Sequence, residues 1–271
     1  MITKREITEA LALSCVESYF LAWLAKRFDV SKLYGESFVP IGQVFDDFAQ
    51  GAKYEAYEGV PRIQETAEKA GIAAHVYSVF PMGVPGSREK LAECLKNQRE
   101  EDLCLMHVNE AFFAEYKRKA WREDHYICVD GSLCWLNQYP LSEGRFTEER
   151  LKEVSGNAVC TYAFRNGRAD TESDCEKKIR AQTFSSVCPP RESEKLEGAL
   201  GVLRVTRKRL EKYFSGSEKI AGLLKAEILL LDKLYFYVRL RRLKGERRAD
   251  AFKEELKEIT EYEKKIAEAM K

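Results

Sequence analysis

The sequence lacks the features of several large protein classes. Its eight cysteines include no CxxC pair, and their scattered spacing favours free thiols over a disulfide framework. No apolar run reaches the roughly 18 residues that a membrane span needs. The N-terminus MITKREITEALALSC has neither the long apolar core nor the small-residue cleavage site of a signal peptide. We therefore expect a reduced, cytoplasmic protein with no membrane partner.

Cofactor and metal motifs are equally scarce. Neither a GxGxxG nor a GxxxxGK[ST] loop is present, which argues against a nucleotide enzyme. Cys104 and His107 have a CxxH spacing, but on a strand their side chains point to opposite faces, and no second ligand pair lies nearby in the sequence. The sequence therefore predicts no cofactor and no metal.

The composition is that of a folded protein with an uneven charge distribution. Its 271 residues are 45% hydrophobic and 33% charged, enough for one large domain or a catalytic domain with an appendage. Residues 191–271 hold 21 Lys and Arg against 15 Asp and Glu, whereas the preceding residues are net acidic. This mild asymmetry suggests a surface for an acidic partner and falls short of a nucleic-acid signature.

The N-terminal part has helical periodicity. Residues 14–28 carry large apolar side chains on one stripe, and Ser14 with Glu17 three residues later forms a capping-box pattern. A loop over 29–37 follows. Further short helices are predicted over 42–50 and 61–69.

Short β-rich runs follow, with one helix predicted among them over 88–98. The predicted strands cover 73–80, 103–108, 126–129, 133–136 and 159–164. Gly131-Ser132 is a tight-turn signal, so 125–137 is expected to form an antiparallel hairpin. Helices and an antiparallel sheet together predict an α+β fold.

Pro189-Pro190 is the clearest boundary in the chain, because consecutive prolines cannot continue a helix. Beyond it three long helical segments are predicted over 194–214, 218–243 and 247–270. The middle segment is apolar over most of its circumference, so we expect it to be the buried member of a bundle. The predicted domains are 1–188 and 191–271.

Cys15 is the leading candidate nucleophile. A catalytic thiol needs its pKa lowered by a helix N-terminus, a nearby imidazole, or both. Cys15 lies in the opening turn of the strongest predicted helix, where the macrodipole favours an anion and free N–H groups can stabilise an oxyanion. The alternative is a buried structural thiol, as free cysteines usually are.

His125 begins the alternating run HYICVDG and is the candidate general base and acid. A tight turn would bring Asn137, at the end of the next strand, back beside it to orient the imidazole. Asp130 is the competing orienter and, with Asn109, a candidate substrate-binding residue, although Asp before Gly131 is also typical of a turn. His75 and His107 lie within strand patterns and are interpreted as structural.

From Cys15 onward the order of landmarks resembles the N-terminal domain of the butirosin-biosynthesis acyltransferase family, and within it the amide-forming cysteine-protease homologues of polythioamide biosynthesis. The matching segments are SCVESYFLAWLAKRF, DVSKLYGESF, LMHVNEAFFAEY and HYICVDG with its following strand, over about residues 14–140. The resemblance implies a papain-like cysteine-protease fold with an α-helical C-terminal segment.

The resemblance also implies roles for single residues. Cys15 would accept the acyl group, His125 would act as its base, and Asn137 would orient the imidazole. Asn109 lies where the family has an acidic residue on the substrate side. Glu9 stands six residues before Cys15, where papain-like proteases have a Gln, so a backbone N–H is the expected oxyanion donor.

The predicted reaction moves an acyl group from a carrier-protein thioester to an amine, possibly a diamine, through an acyl-Cys15 intermediate. The alternatives are a cysteine peptidase or thioesterase, in which water takes the acyl group, and a non-catalytic scaffold. The acyl or peptidyl carrier protein would present its substrate on phosphopantetheine. A docking surface for it is predicted on the basic C-terminal residues, unless these are solvated helix faces: Arg204, Arg207, Lys208, Lys212, Arg239, Arg241, Arg242, Arg247 and Arg248.

Overall fold

The computed structural model describes residues 2–52, 57, 60–76, 87–114, 125–165, 174–182, 184, 188–247 and 252–271. The described chain is α+β, as the sequence predicts, and it contains an antiparallel sheet. It divides into two compact units, each built from two stretches of chain. Residues 1–29 and 67–170 form the sheet unit, and residues 30–66 and 171–271 form the helical unit.

The elements follow one another in a mixed order along the chain. The helices are α1 (Lys4–Glu9), α2 (Cys15–Leu24), α3 (Ile41–Ala49), α4 (Val60–Lys69), α5 (Ser87–Lys96), α6 (Glu110–Phe113), α7 (Glu148–Val154), α8 (Cys175–Arg180), α9 (Ser193–Tyr213), α10 (Glu218–Leu243) and α11 (Lys253–Ala269). The strands are β1 (Ala73–Val76), β2 (Leu103–Val108), β3 (Tyr126–Val129), β4 (Cys134–Asn137), β5 (Ser142–Arg145) and β6 (Ser155–Phe164).

The sheet has six strands in the order β1-β6-β2-β3-β4-β5, and the neighbouring strands pair antiparallel. Leu105 of β2 lies opposite Cys128 of β3, which in turn lies opposite Leu136 of β4. Residues that face each other across strands project to the same side of a sheet. This register therefore fixes which side chains share each face.

Helices cover both faces of the sheet. On one face Phe20 of α2 packs edge-on against Tyr162 of β6, with ring centroids 5.5 Å apart. On the other face a buried cluster joins the strands to α5, α6 and α7: Leu91, Leu95, Met106, Val108, Phe112, Ile127, Val129, Leu151 and Val154. β2, with all six residues buried, lies at the centre of this arrangement.

The helical unit is organised around α9. Its buried residues share a core with Val44, Phe45 and Phe48 of α3, and with buried residues of α10 and α11. Gly198 of α9 makes the approach of α3 possible, because a Cβ there would lie 2.4 Å from Cε1 of Phe48. Residues 30–37, predicted as a loop, form a 3₁₀ helix in which Leu33 and Tyr34 are buried.

The predicted division into 1–188 and 191–271 differs from the one in the structure. Residues 30–66 group with the C-terminal helices, because the apolar face of α3 packs against α9. The prediction used the Pro189-Pro190 signal, which marks a break in helix but carries no information about long-range packing.

The expectation for α10 was wrong in one respect. Its inner residues Leu224, Leu231 and Val238 are buried as predicted, but the helix also carries large apolar side chains in solvent, among them Leu229 and Leu243. The nearly all-round apolar sequence therefore reflects an exposed apolar face and not complete burial. Among the described residues, no helix is both long and apolar enough to span a membrane.

Three predicted bounds miss the structure by four or more residues: α2 ends at Leu24 and not at 28, β6 begins at Ser155 and not at 159, and α11 begins at Lys253 and not at 247. Other predicted elements match more closely. The helices predicted over 42–50, 61–69, 88–98 and 194–214 lie within two residues of α3, α4, α5 and α9 at each end, and the prediction for α10 has the same bounds. The first strand was predicted to run to residue 80, of which residues 77–80 lie outside the described part of the chain.

Candidate functional site

The head of α2 is capped as the sequence predicts, with one difference. Ser14 is the N-cap, and its Oγ accepts a hydrogen bond from the backbone N–H of Glu17 at 3.1 Å. The buried Glu17 carboxylate accepts from the N–H of Leu13, at 2.6 Å, and so reaches one residue beyond the cap itself. Cys15 is therefore the first residue of a ten-residue helix with a firmly held start, and it is half-buried.

Tyr19 ties this end of α2 to the end of β4. Its buried Oη accepts a hydrogen bond from the backbone N–H of Gln138, the residue after Asn137, at 2.8 Å. Burial raises the pKa of the Tyr19 hydroxyl well above its usual value, and the nearby Cys15 and Cys128 thiols add to this. Cys15 precedes Tyr19 by one helical turn, so the first turn of α2 lies near the corner that follows β4.

The hairpin of β3 and β4 brings His125 and Asn137 together, as predicted from the turn signal. Nε2 of His125 lies 2.7 Å from Oδ1 of Asn137, and both side chains are buried. Nδ2 of Asn137 donates to the carbonyl of Pro140 at 3.0 Å, which turns Oδ1 toward the ring. The carbonyl of His125 also accepts from the N–H of Val108, at 2.9 Å, which anchors the residue to β2.

This bond selects the tautomer of His125. Because the Asn137 oxygen can only accept, Nε2 must carry the proton, and Nδ1 of the neutral ring is then an acceptor. The Phe113 ring lies edge-on to the imidazole with a centroid separation of 5.0 Å, which limits its rotation. A neutral imidazole held in this way has the arrangement expected of a general base.

Cys15 and His125 approach the same end of the sheet from two sides. α2 runs from the Gln138 corner to the start of β2, where Nε1 of Trp23 donates to the carbonyl of Glu101 at 2.8 Å. His125 precedes β3, and strand alternation places its side chain on the face of Ile127, opposite the face that α2 covers. Cys15 and His125 thus lie toward the same end of the sheet, where β3 begins, on its two sides.

Burial removes most of the other cysteines from consideration as nucleophiles. It raises the pKa of the Cys128 thiol to about 12, and it also raises the pKa values of the Cys94, Cys104 and Cys160 thiols. Cys175 starts a helix as Cys15 does, but burial raises its pKa to about 12. These thiols stay protonated near neutral pH, so they are poor nucleophiles.

Asp130 lies at the opposite end of the hairpin from His125. Its Oδ1 accepts from the N–H groups of Ser132 and Cys134, each at 2.9 Å, and so forms the turn between β3 and β4. The turn-forming alternative for Asp130 is therefore the one that the structure contains. This geometry does not support Asp130 as the orienting residue in place of Asn137. It also does not support Asp130 as a substrate contact.

Asn109 is engaged with the backbone as an N-cap. Its Oδ1 accepts from the N–H of Ala111 at 2.9 Å, and its Nδ2 donates to the carbonyls of Glu153 and Ser155. The predicted substrate-side role for Asn109 would require breaking these bonds. These hydrogen bonds explain the amide side chain at position 109 without a substrate contact.

Glu9 pairs with Arg5 at the exposed end of α1, with Oε1 2.7 Å from Nε. A carboxylate that is already paired cannot donate to an oxyanion, in line with the expectation of a backbone donor. Sequence reasoning missed Tyr19, which it took only as a member of the apolar stripe. A tyrosine one turn after the candidate nucleophile was the available signal.

The other two histidines have structural surroundings. Burial lowers the pKa of His75, whose ring stacks on Tyr162 at 4.6 Å. His107 is buried, with its ring 5.3 Å from that of Tyr126, and alternation places it on the face that α2 covers. Among the described residues, no group of three or more His, Cys, Asp or Glu could hold a metal ion.

A polar cleft of about 720 Å³ lies at the other end of the sheet unit. Trp23, Arg99 and Asp102 line it, together with the turn at Gly131. It opens where β2 begins and β3 ends, whereas the His125–Asn137 pair lies where β2 ends and β3 begins. The cleft is therefore separate from the candidate site.

The predicted basic docking residues do not form a common surface. Arg207 is buried beside Glu263 and Glu227, so it cannot contact a partner. Arg204 and Lys208 both bind Asp232. The exposed members on α10 are Arg239, Arg241 and Arg242, and Arg248 lies outside the described residues.

Comparison with known protein families, with curated proteins and with solved structures found no match for this chain. The resemblance to the butirosin-biosynthesis acyltransferases therefore remains a prediction from the sequence.

Proposed function

We propose that Cys15, His125 and Asn137 act as nucleophile, base and orienting residue of a papain-like acyltransferase, and that thiol and imidazole meet at the end of the sheet where β3 begins. The observation that carries the proposal is the hydrogen bond between Nε2 of His125 and Oδ1 of Asn137, 2.7 Å long. It makes Nδ1 the acceptor nitrogen of the neutral ring, at the end of the sheet where α2 begins with Cys15. A nucleophile, a base and an orienter are the groups that acyl transfer through a thiol requires.

The first half of the proposed reaction acylates the enzyme. The Cys15 thiol gives its proton to His125, and the thiolate attacks the carbonyl carbon of a carrier-protein thioester. The carbonyl oxygen becomes an oxyanion, stabilised by N–H groups in the first turn of α2. The bond to the pantetheine sulfur then breaks, and His125 returns the proton to that leaving group.

The second half forms an amide. An amine attacks the acyl-Cys15 carbonyl, and His125 accepts the proton that the amine loses. The bond to Cys15 breaks, and the proton passes to the departing thiolate. Asn137 holds the imidazole during both proton transfers and supports the positive charge that develops on the ring.

Two exposed apolar residues adjoin the proposed site and fit an apolar acyl chain. Tyr139 and Leu141 lie two and four residues after Asn137 and are 67% and 46% exposed. They flank Pro140, whose carbonyl accepts from Asn137. An acyl chain lying on them would be near the imidazole, and burying their apolar surface would contribute to its binding.

The deciding experiment is intact-protein mass spectrometry after exposure to an acylated, phosphopantetheinylated carrier protein. We expect one acyl adduct on the wild-type chain, no adduct on Cys15→Ala, and acylation at least about 100-fold slower in His125→Ala. Cys188→Ala is the matched control, because Cys188 is an exposed thiol outside the sheet unit. An adduct that persists in Cys15→Ala would contradict the proposal.

The same reaction mixture separates transfer from hydrolysis. We expect amide product when a diamine is present and a persistent adduct when it is absent. Free acid formed equally with and without the amine would instead assign a thioesterase or peptidase activity.

A further inference from the structure

Exposed apolar side chains are concentrated on one helix of the helical unit. Among the described residues, five of the large apolar side chains that lie in solvent belong to α10: Leu229, Phe236, Tyr237, Leu240 and Leu243. Leu229 and Leu243 are 70% and 67% exposed. A contiguous exposed patch of this kind marks an interaction site more often than scattered surface leucines do.

The spacing places four of these five residues on one face of α10. Leu229, Phe236, Leu240 and Leu243 are separated by seven, four and three residues, which is the repeat of one side of a helix. The face extends over about 21 Å at the helical rise of 1.5 Å per residue. That length matches four turns of a partner helix laid along α10.

The aromatic residue at the centre of this face is held in position. The Arg204 guanidinium lies 5.2 Å from the centre of the Phe236 ring, and its Nε is bound to Asp232 at 2.5 Å. One side of the ring is therefore fixed within the helical unit, while the side chain remains 54% exposed. A rigid aromatic anchor loses little conformational entropy on binding.

The surroundings of the apolar face are basic. Between residues 229 and 244 the helix has five cations, Lys233, Arg239, Arg241, Arg242 and Lys244, and one carboxylate, Asp232. That carboxylate is already bound to Arg204 and Lys208. Arg239 and Arg242 pair with Glu197, and Arg241 pairs with Glu246. Lys233 and Lys244 are exposed and form no salt bridge within the described part of the chain, so they carry the unbalanced positive charge of this face. The complementary surface is therefore apolar with acidic flanks.

A second copy of this chain does not provide that surface. Leu229 and Leu243 lie at equal distances from Phe236 along the helix, so an antiparallel pair would centre on Phe236. It would also place Lys233 of one copy opposite Arg239 of the other, and like charges in that position repel. A lipid surface is also a poor match. Lys233 interrupts the apolar face between Leu229 and Phe236, and its ammonium group is better accommodated by a carboxylate than by lipid hydrocarbon.

We propose that the Leu229–Leu243 face of α10 docks an amphipathic helix of a partner protein, whose apolar side is flanked by Asp and Glu. The apolar residues supply the buried contact, and the surrounding cations select the partner and accelerate its association. The proposal concerns the helical unit by itself and does not rest on the chemistry proposed for Cys15.

Binding to designed peptides tests the proposal with the full-length protein. The probes are two fluorescent 18-residue helical peptides with the same leucine stripe, one flanked by Glu and the other by Lys. We expect the Glu peptide to bind at least tenfold more tightly at low salt, with an affinity that falls as salt is raised. Leu229→Ser with Leu240→Ser should weaken its binding at least tenfold.

Charge variants identify the contribution of the cations. Lys233→Glu with Lys244→Glu should remove the preference for the Glu peptide. The matched control is Lys253→Glu with Lys257→Glu, which makes the same change in charge on exposed positions of α11 and should leave the preference intact. Circular dichroism checks that every variant keeps its helices.

Three results would overturn the proposal. One is equal or undetectable binding of the two peptides. Another is tighter binding to vesicles of anionic phosphatidylglycerol than to the Glu peptide, which would assign the face to a membrane surface. The third is a wild-type dimer that Leu229→Ser with Leu240→Ser dissociates, which would assign it to a second copy of the chain.

Discussion

The thiols of the chain differ in what surrounds them. Buried thiols such as Cys104 and Cys128 are held protonated, whereas Cys15 is half-buried at a capped helix start and Cys188 is exposed. Cys15 and Cys188 thus allow a comparison within one molecule of a thiol that has a helix terminus nearby with one that does not. Any difference in their reactivity reports on the environment of Cys15.

Alkylation by iodoacetamide as a function of pH measures that difference. We expect Cys15 to react at least about tenfold faster than Cys188 at pH 6, since a helix terminus and an imidazole together lower a thiol pKa. The rate advantage should be lost in His125→Asn. Peptide mass spectrometry assigns the modified thiol at each pH.

His107→Asn is the control for this measurement, because His107 is the histidine on the face that α2 covers. If His107→Asn abolishes the fast reaction and His125→Asn does not, the base is His107. The proposed role of the His125–Asn137 pair would then be wrong.

A second residue-scale feature is the buried cluster of Arg207, Glu227 and Glu263, which joins α9, α10 and α11. Arg207 donates hydrogen bonds to Glu263 and to the carbonyl of Val39, whereas its Nε lies 3.4 Å from Glu227 without hydrogen-bond geometry. Burial raises the pKa of Glu227 well above its usual value, and the neighbouring Glu263 raises it further. Glu227 therefore binds its proton more tightly in the folded protein than in the unfolded chain.

Stability should consequently fall as pH rises. A carboxyl whose pKa is higher in the folded state binds more protons there, so the free energy of unfolding decreases by about 1.4 kcal/mol per pH unit between the two pKa values. Glu227→Gln should flatten this dependence and raise Tm at pH 8 relative to the wild type. Glu258→Gln, on the exposed side of α11, is the control in a thermal unfolding series from pH 5 to pH 9. Parallel curves for the wild type and Glu227→Gln would contradict the assignment.

At the scale of elements, two glycines in long helices predict opposite effects of the same substitution. Gly198→Ala should destabilise the protein by about 1–2 kcal/mol, because the new Cβ would lie 2.4 Å from Phe48 and overpacking outweighs the gain in helix propensity. Gly222→Ala, in α10 with no atom within 4 Å of the new Cβ, should stabilise it by about 0.5–1 kcal/mol. Urea unfolding of both variants measures the two effects. A stabilising Gly198→Ala would show that α3 does not pack against α9 as described.

Local sequence signals were sufficient for the elements that carry them. The cap at Ser14 and the apolar pattern after it predicted α2, and the Gly131-Ser132 turn predicted the hairpin that pairs His125 with Asn137. β5 was missed because its sequence, SEGR, has no apolar residue. It forms because its backbone pairs with β4, which is a tertiary cause.

The candidate site could be predicted only in part for the same reason. The hairpin is local, so the proximity of His125 and Asn137 follows from strand length and turn type. The hydrogen bond from Gln138 to Tyr19 joins residues far apart in sequence, and no periodicity indicates it. The exposed face of α10 was missed because an apolar helix sequence does not record which of its sides finds a partner.

At the scale of the whole molecule, the two units predict how a truncated chain behaves. Residues 191–271 include α9, α10 and α11 but lack α3, whose Val44, Phe45 and Phe48 complete their core. We expect this fragment to keep helical circular dichroism, to lose a cooperative thermal transition and to bind a hydrophobic dye. A fragment that melts as cooperatively as the full chain would support the boundary at Pro189-Pro190 instead.

The alternation of the two units along the chain also sets an order of events during synthesis. The strands of the sheet unit are complete at Phe164, whereas α3 does not meet α9 until that helix leaves the ribosome about 150 residues later. For that interval the IGQVFDDFA segment lacks the helix against which its apolar face packs. We therefore expect the nascent polypeptide to be most prone to aggregation before α9 has emerged.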